Sequence, residues 1–154
     1  MNFLKTAAGL VAALLISAAG VNAQTARLSQ DDVKALTLKA ADLVAKAGVD
    51  NARDAFNREG EFKHDEIYVN VIDFTGTWLA YPPRPAAVGK SMLNVKDPDG
   101  KPLVQDIITL AKEQGEGWIE YRWLNPASNR IEPKITFVKR VPDHEMITYI
   151  GIYK

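Results

Sequence analysis

Lys134 follows Pro133 at the start of a strand-like run, Lys134 to Val141, and the strand-like run before it carries Tyr121 and Trp123. An ammonium in that position can give an anion a charge-assisted hydrogen bond, which is stronger than a neutral one. The Tyr121 hydroxyl can donate to the same anion, and Trp123 can close an apolar wall beside it. The residues alone leave a second reading open, in which Lys134 is a solvated strand-end lysine and Tyr121 and Trp123 are inward-facing core. Tyr68 and Tyr81 lie on the two arms of a hairpin that borders a long loop, so either can reach a pocket there. Arg84 and Arg122 rank below Lys134 as anion partners. Arginine suits a carboxylate, but Arg84 is in the loop and Arg122 points away from the face that carries Ile119.

Other chemistries find little support. Asp97-Pro98-Asp99-Gly100-Lys101 begins like a calcium loop, but its twelfth position is Ile108 where a glutamate is needed. It reads as a turn that starts a helix. His64 and His144 are 80 positions apart, and neither has a local His or Cys partner for a metal. There is no Gly-x-Ser-x-Gly elbow, no phosphate-cradling glycine loop and no His-Glu-x-x-His helix, so catalysis is not expected. The acidic pairs Asp31-Asp32 and Asp65-Glu66 read as a helix first turn and a strand-edge turn. No metal or cofactor is expected.

The 154 residues balance 19 basic against 19 acidic side chains and contain no cysteine. Neutral charge gives no reason to expect nucleic acid, and the missing thiols exclude disulfides, thiolate metal sites and a cysteine nucleophile. Residues 1–23 carry one charge, Lys5, then an apolar run from Ala7 to Ala19, and end in Val21-Asn22-Ala23. This is the pattern of a cleaved secretory signal peptide; the run is shorter than the roughly 20 residues that span a bilayer. Removing 23 residues leaves a 131-residue domain, 24–154, with 18 basic and 19 acidic groups. An exported, cysteine-free chain fits a bacterial periplasm.

The elements that must hold these side chains follow from periodicity. Ser29 is an N-cap, and Val33, Leu36, Ala40, Leu43, Val44 and Ala47 form one helical stripe. Gly48 stops the helix, and Asp50 caps a short continuation through Phe56. Ile67 to Asp73 and Thr77 to Tyr81 flank the turn Thr75-Gly76 as a hairpin. A Pro-rich loop runs from Pro82 to Gly100, of a length that is often functional. Pro102 enters the first turn of a second helix with Leu103, Val104, Ile107, Ile108 and Ala111 on one face, ending near Gly115. Three strands close the chain: Gly117 to Leu124, Lys134 to Val141 and Met146 to Tyr153. Short connections make these antiparallel, so the class is α+β with an open sheet of about five strands. All three Trp and all five Tyr fall between Tyr68 and Tyr153. That suits either a partly polar cavity on the sheet or ordinary sheet propensity.

A longer ordered set of residues carries a family resemblance. It comprises Tyr68-x-x-Val71-x-Asp73-x-x-Gly76, Leu79-Ala80-Tyr81-Pro82, Gly89-Lys90, Asp97-x-Asp99-Gly100-Lys101 and Gly115-x-Gly117-Trp118-x-x-Tyr121-x-Trp123, then Asn125-Pro126, Pro133-Lys134 and Gly151-Ile152-Tyr153. From about residue 30 to the C-terminus the chain resembles the single Cache domain, type 2, an extracytoplasmic sensor domain of bacterial receptors also found as small free-standing periplasmic proteins. The resemblance implies a long N-terminal helix on one face of a PAS-like antiparallel sheet. It also implies a small ligand, often a short carboxylate, between the other face and the loop after the hairpin. Tyr81 stands where family members often have histidine, so the polar contact there differs.

The resemblance favours the pocket reading of Lys134, with Tyr68, Tyr81, Tyr121 and Trp123 around the ligand. The expected function is a periplasmic module that binds or senses a small organic anion. No membrane helix, kinase or methyl-accepting region follows in this sequence, so its output is expected to pass to a partner such as a membrane histidine kinase or chemoreceptor. The alternative is a ligand-free protein–protein module, with the aromatics as packing, that docks on a membrane receptor or on a second copy as a homodimer.

Overall fold

The computed structural model describes residues 27–154, and the expected leader, 1–23, lies outside the described residues. The first helix, α1 (Gln30–Ala47), is fixed at its start by two reciprocal hydrogen bonds. The Asp32 N–H donates to Ser29 Oγ at 3.2 Å, and the Ser29 N–H donates to the Asp32 carboxylate at 2.9 Å. Both amides would otherwise be unpaired at a helix N-terminus. The inward stripe is Val33, Thr37, Ala40, Ala41 and Val44. Thr37 belongs to it because its hydroxyl donates to the Val33 carbonyl at 2.7 Å, so no polar group is left unpaired. Gly48, at φ +81°, ends α1 and also caps α2 (Val49–Asn57). Asp50 is therefore not the cap; it lies in the first turn and pairs with Arg53 at 2.9 Å.

The expected strand over 67–73 is divided. Ile67–Tyr68 (β2) pairs with Lys63–His64 (β1) across the Asp65-Glu66 turn, whereas Asn70–Asp73 (β3) joins the main sheet. The run changes partners at Val69 and keeps its alternation. Val69 and Val71 pack towards α1 and α2, and Tyr68 and Asn70 point to the other side. The remaining strands are β4 (Trp78–Ala80), β5 (Glu116–Asn125), β6 (Arg130–Arg140) and β7 (Met146–Tyr153). The main sheet is antiparallel throughout, in the order β4-β3-β7-β6-β5. This is the expected five-stranded α+β architecture.

Two cores lie on the two faces of the sheet. On one, Val33, Val44, Ala52 and Phe56 of the first two helices meet Val71, Phe137 and Ile150. Trp118 belongs to this face, edge-on to Phe137 at 5.0 Å, as its place in the β5 alternation requires. On the other, α3 (Leu103–Gln114) lays Val104, Ile107 and Ala111 over Ile72, Ile119, Val138 and Ile147. Pro102 is the N-cap of α3 rather than a residue of its first turn. The Pro-rich loop is tied down along the outer edge of β4. Gly89 donates to the Trp78 carbonyl (2.8 Å), Trp78 to that of Lys90 (3.0 Å) and Met92 to that of Gly76 (2.7 Å). Asp97 Oδ1 accepts the N–H groups of Asp99 and Lys101 at 2.9 Å each, so the acidic loop is a turn.

Gly151 of β7 is opposite Thr136 of β6. A Cβ added there would collide with Thr136 Oγ1 and lie 2.6 Å from Lys134 Cε and 3.0 Å from the Ile135 carbonyl oxygen. The missing side chain lets the Lys134 stem cross the strand. Gly151→Ala is expected to cost about 1–3 kcal/mol by overpacking, read as a lower denaturation midpoint with an unchanged slope. Ser29→Ala is expected to cost about 1 kcal/mol through loss of the α1 cap. A Gly151→Ala protein as stable as the native one would show that the Lys134 stem does not occupy this gap.

Candidate functional site

The strand registers set Tyr121, Lys134 and Tyr153 in one row across β5, β6 and β7. All three point to the face beneath α3 and the Pro-rich loop. Lys134 lies within β6, four residues from its beginning, because the strand extends back through Pro133 to Arg130. Proline is tolerated there because its nitrogen faces the end of β7, where the Lys154 N–H donates to the Pro133 carbonyl at 2.9 Å.

Lys134 is 2% exposed, which removes the reading of a solvated strand-end lysine. Its Nζ donates to Tyr68 Oη at 3.0 Å and to Tyr153 Oη at 3.4 Å. It also sits 4.4 and 4.5 Å from the centroids of those two rings. Phenol oxygens and ring faces thus surround the ammonium in place of a carboxylate. Burial pushes the Lys134 ammonium down to about 7, opposed only by the more distant negative charge of Glu66.

The tyrosines are held neutral. Burial pushes the Tyr68 phenol far up, and neighbouring phenols add to it. Burial also raises Tyr121, whose hydroxyl shares a 2.9 Å hydrogen bond with Thr136 Oγ1. Tyr153 is pushed up to about 12, again chiefly by burial, and its hydroxyl donates to the Leu124 carbonyl at 2.8 Å. A phenol has one proton. Tyr153 spends its proton on Leu124, whereas Tyr68 accepts from Lys134 and has the Tyr153 oxygen within reach of its own proton. Lys134 polarises the Tyr68 phenol, which also lines the cavity in front of it.

In front of this row lies a small cavity. Its floor is Tyr68 and Asn70 on the β2–β3 run, Trp78 of β4, Tyr121 and Trp123 of β5, and Tyr149 of β7. Tyr81 follows β4, and Met92, Val95, Leu103 and Val104 form the roof. The room within it for centres of water-sized spheres is ≈ 20 Å³, about one water. Tyr81 stacks on Trp78 at 4.4 Å with 11° between the planes, and meets Tyr68 edge-on at 6.0 Å. Burial raises Tyr81, against the opposing effects of the Trp123 indole and the Arg84 charge. Beyond Tyr81 and Trp123 a larger cleft of ≈ 450 Å³ opens, bordered by Arg84, Lys90, Leu124 and Pro126. The two spaces share Tyr68, Trp78, Tyr81, Met92 and Trp123 as a common wall.

The structure therefore brings Tyr68, Tyr81, Tyr121 and Trp123 together on one cavity and sets Lys134 behind Tyr68 rather than on the lining. Arg84 reaches only the outer cleft, and Arg122 pairs with Asp99 at 3.2 Å on the other face. Sequence reasoning missed Asn70, Trp78, Thr136, Tyr149 and Tyr153 as parts of the site. The alternation Tyr149, Gly151, Tyr153 at the C-terminus was the available signal, because it sets three positions of one strand on one face.

Known proteins show the same architecture. The Single Cache domain 2 family model matches residues 11–154. The sensor histidine kinase MctS of Rhizobium johnstonii is 29% identical over 86 residues, which are 56% of this chain and 18% of the kinase. The chain thus spans about a fifth of that relative's length. A methyl-accepting chemotaxis protein from Vibrio parahaemolyticus superposes with a TM-score of 0.68 at 18% identity, over 80% of this chain and 86% of that one. A Cache chemosensory domain solved to explain carboxylic acid recognition superposes with a TM-score of 0.64 at 22% identity, also over 80% and 86%. Among the described residues no helix is long and apolar enough to cross a membrane. With its long capped helix on one face of the sheet, an aromatic-lined cavity on the other and the family match over residues 11–154, the chain belongs to the single Cache domain 2 family.

Proposed function

We propose that the chain is a periplasmic sensor domain for a short monocarboxylate, exported through the leader in residues 1–23. One observation carries this reading: a buried ammonium with no carboxylate in contact, bonded to a phenol that lines a cavity. A buried charge is costly until an opposite charge approaches. A ligand carboxylate accepting from Tyr68 would supply that charge and leave Lys134 one phenol away. The roof is apolar and no acidic or basic side chain lines the inner cavity, which favours a single charge with a short tail. A two- or three-carbon acid is larger than one water, so it would enter by displacing Tyr81 or Trp123 towards the outer cleft. Likeness to a sensor histidine kinase and a chemotaxis protein supports a sensory role. We assign the output to contact with a membrane receptor of one of these kinds, or to pairing of two copies of the chain.

Thermal unfolding with acetate, propionate and butyrate should show concentration-dependent stabilisation, about 2.7 kcal/mol at a hundredfold excess over Kd. Lys134→Met, which keeps the stem and removes the charge, should abolish the shift while the variant still melts cooperatively. An unaltered shift in that variant would remove Lys134 from the site.

The pH dependence has a definite sign. The folded lysine titrates near 7 and an unfolded one near 10.5. Between those values the unfolded chain binds the extra proton, so ligand-free protein should become more stable as pH rises from about 7 to 10. Lys134→Met should lose this slope. An anion needs the charged lysine, so carboxylate binding should weaken by up to tenfold per pH unit above about 7 and take up a proton. Calorimetry at pH 8 in two buffers of different ionisation enthalpy measures that uptake.

A further inference from the structure

Asn70 is an amide on the cavity floor with one half committed and the other open. It is 4% exposed, and its Nδ2 donates to the Tyr149 carbonyl at 3.2 Å across the β3–β7 ladder. That bond fixes the orientation, since the reversed amide would set two acceptor oxygens against each other. Oδ1 is therefore the uncommitted half of an amide that lines the cavity, and among the described residues it accepts no hydrogen bond. Among the described residues the fully buried, unpaired side-chain oxygens are those of Asn57 and Glu66, elsewhere in the fold, so the Asn70 oxygen keeps some accessible surface. A buried carbonyl oxygen that faces the ligand and lacks a protein donor calls for a donor on the ligand.

Two common small acids bring such a donor beside the carboxylate: a 2-hydroxy acid and a 2-amino acid. The amino acid adds an ammonium to a cavity that has no acidic lining and already has the Lys134 charge behind it. That charge pattern rejects it. Tyr68 and Asn70 are two apart on one face of the same extended run, so adjacent ligand groups can meet them together. Resting on the carboxylate reading above, we infer that the cavity selects small 2-hydroxy acids, with the ligand hydroxyl donating to Asn70 Oδ1 and its carboxylate accepting from Tyr68. Simple acids and 2-oxo acids leave the Asn70 oxygen unpaired, and discrimination against them follows from that loss.

The test is calorimetric titration of the purified protein with matched ligands: glycolate against acetate, and lactate against propionate, pyruvate and alanine. The hydroxy acid should bind at least tenfold more tightly than each partner, and alanine should not bind. Asn70→Leu, close in volume and without the acceptor, should lose the preference for lactate over propionate. Cooperative thermal unfolding reports that the variant is folded; should it fail to fold, the native ranking alone decides. If acetate, propionate or pyruvate binds the native protein as tightly as its hydroxy counterpart, the Asn70 assignment is wrong and the carboxylate site stands. If no acid of either series binds, both readings fall.

Discussion

A protein interior charges several kcal/mol to hold an ammonium, and here the surroundings of Lys134 return only part of it. Two phenol oxygens and two ring faces meet the Nζ, and no carboxylate does. Much of the sheet is arranged around that fact. Gly151 has no side chain because the lysine stem lies across it, Thr136 is drawn to Tyr121, and Tyr153 turns its proton to the Leu124 carbonyl. The lysine is held in place without a carboxylate in contact, so the site retains a demand for negative charge.

This demand is bearable because the two faces of the sheet have separate tasks. The helices on one side bury a mainly apolar layer around Phe56, Phe137 and Ile150, which has no part in the cavity. Stability drawn from that layer offsets the polar groups on the other. The strands supply positions at a spacing of two, so β7 sends Tyr149, Gly151 and Tyr153 to the cavity face while Ile150 and Ile152 pack towards the helices. The division lets the site change without dismantling the core.

Much of the fold was legible in the sequence. Ser29 with Asp32, Gly48, Thr75-Gly76 and Gly115 mark boundaries that the structure keeps, because caps and turns depend on neighbours a few residues away. The division at Val69 was not legible, since a strand that changes partners keeps the same local pattern. Asp50 and Pro102 were each misassigned by a short distance, where two adjacent residues can serve as a cap. At the site, Tyr68, Tyr81, Tyr121 and Trp123 were found as aromatics near a long loop. Asn70 and Tyr149 were missed because their importance comes from β3–β7 register, which joins residues 79 apart in the chain. Lys134 was located by sequence, but its place behind Tyr68 depends on how β6 lies against β2.

The loop bonded along β4 and the Asp97 turn set against β5 also have an effect on the molecule's behaviour in a crowded compartment. Both border strands of an open sheet normally offer unpaired amides to any extended chain nearby. Here the amides and carbonyls of Trp78 are taken by Lys90 and Gly89, the Glu120 carbonyl by the Lys101 ammonium, and the Arg122 amide by Asp97. At these positions the connecting segments, rather than another chain, take up the edge groups. Association of two such molecules is left to surfaces of side chains, which can part again, rather than to a ladder of backbone bonds that would lock them together.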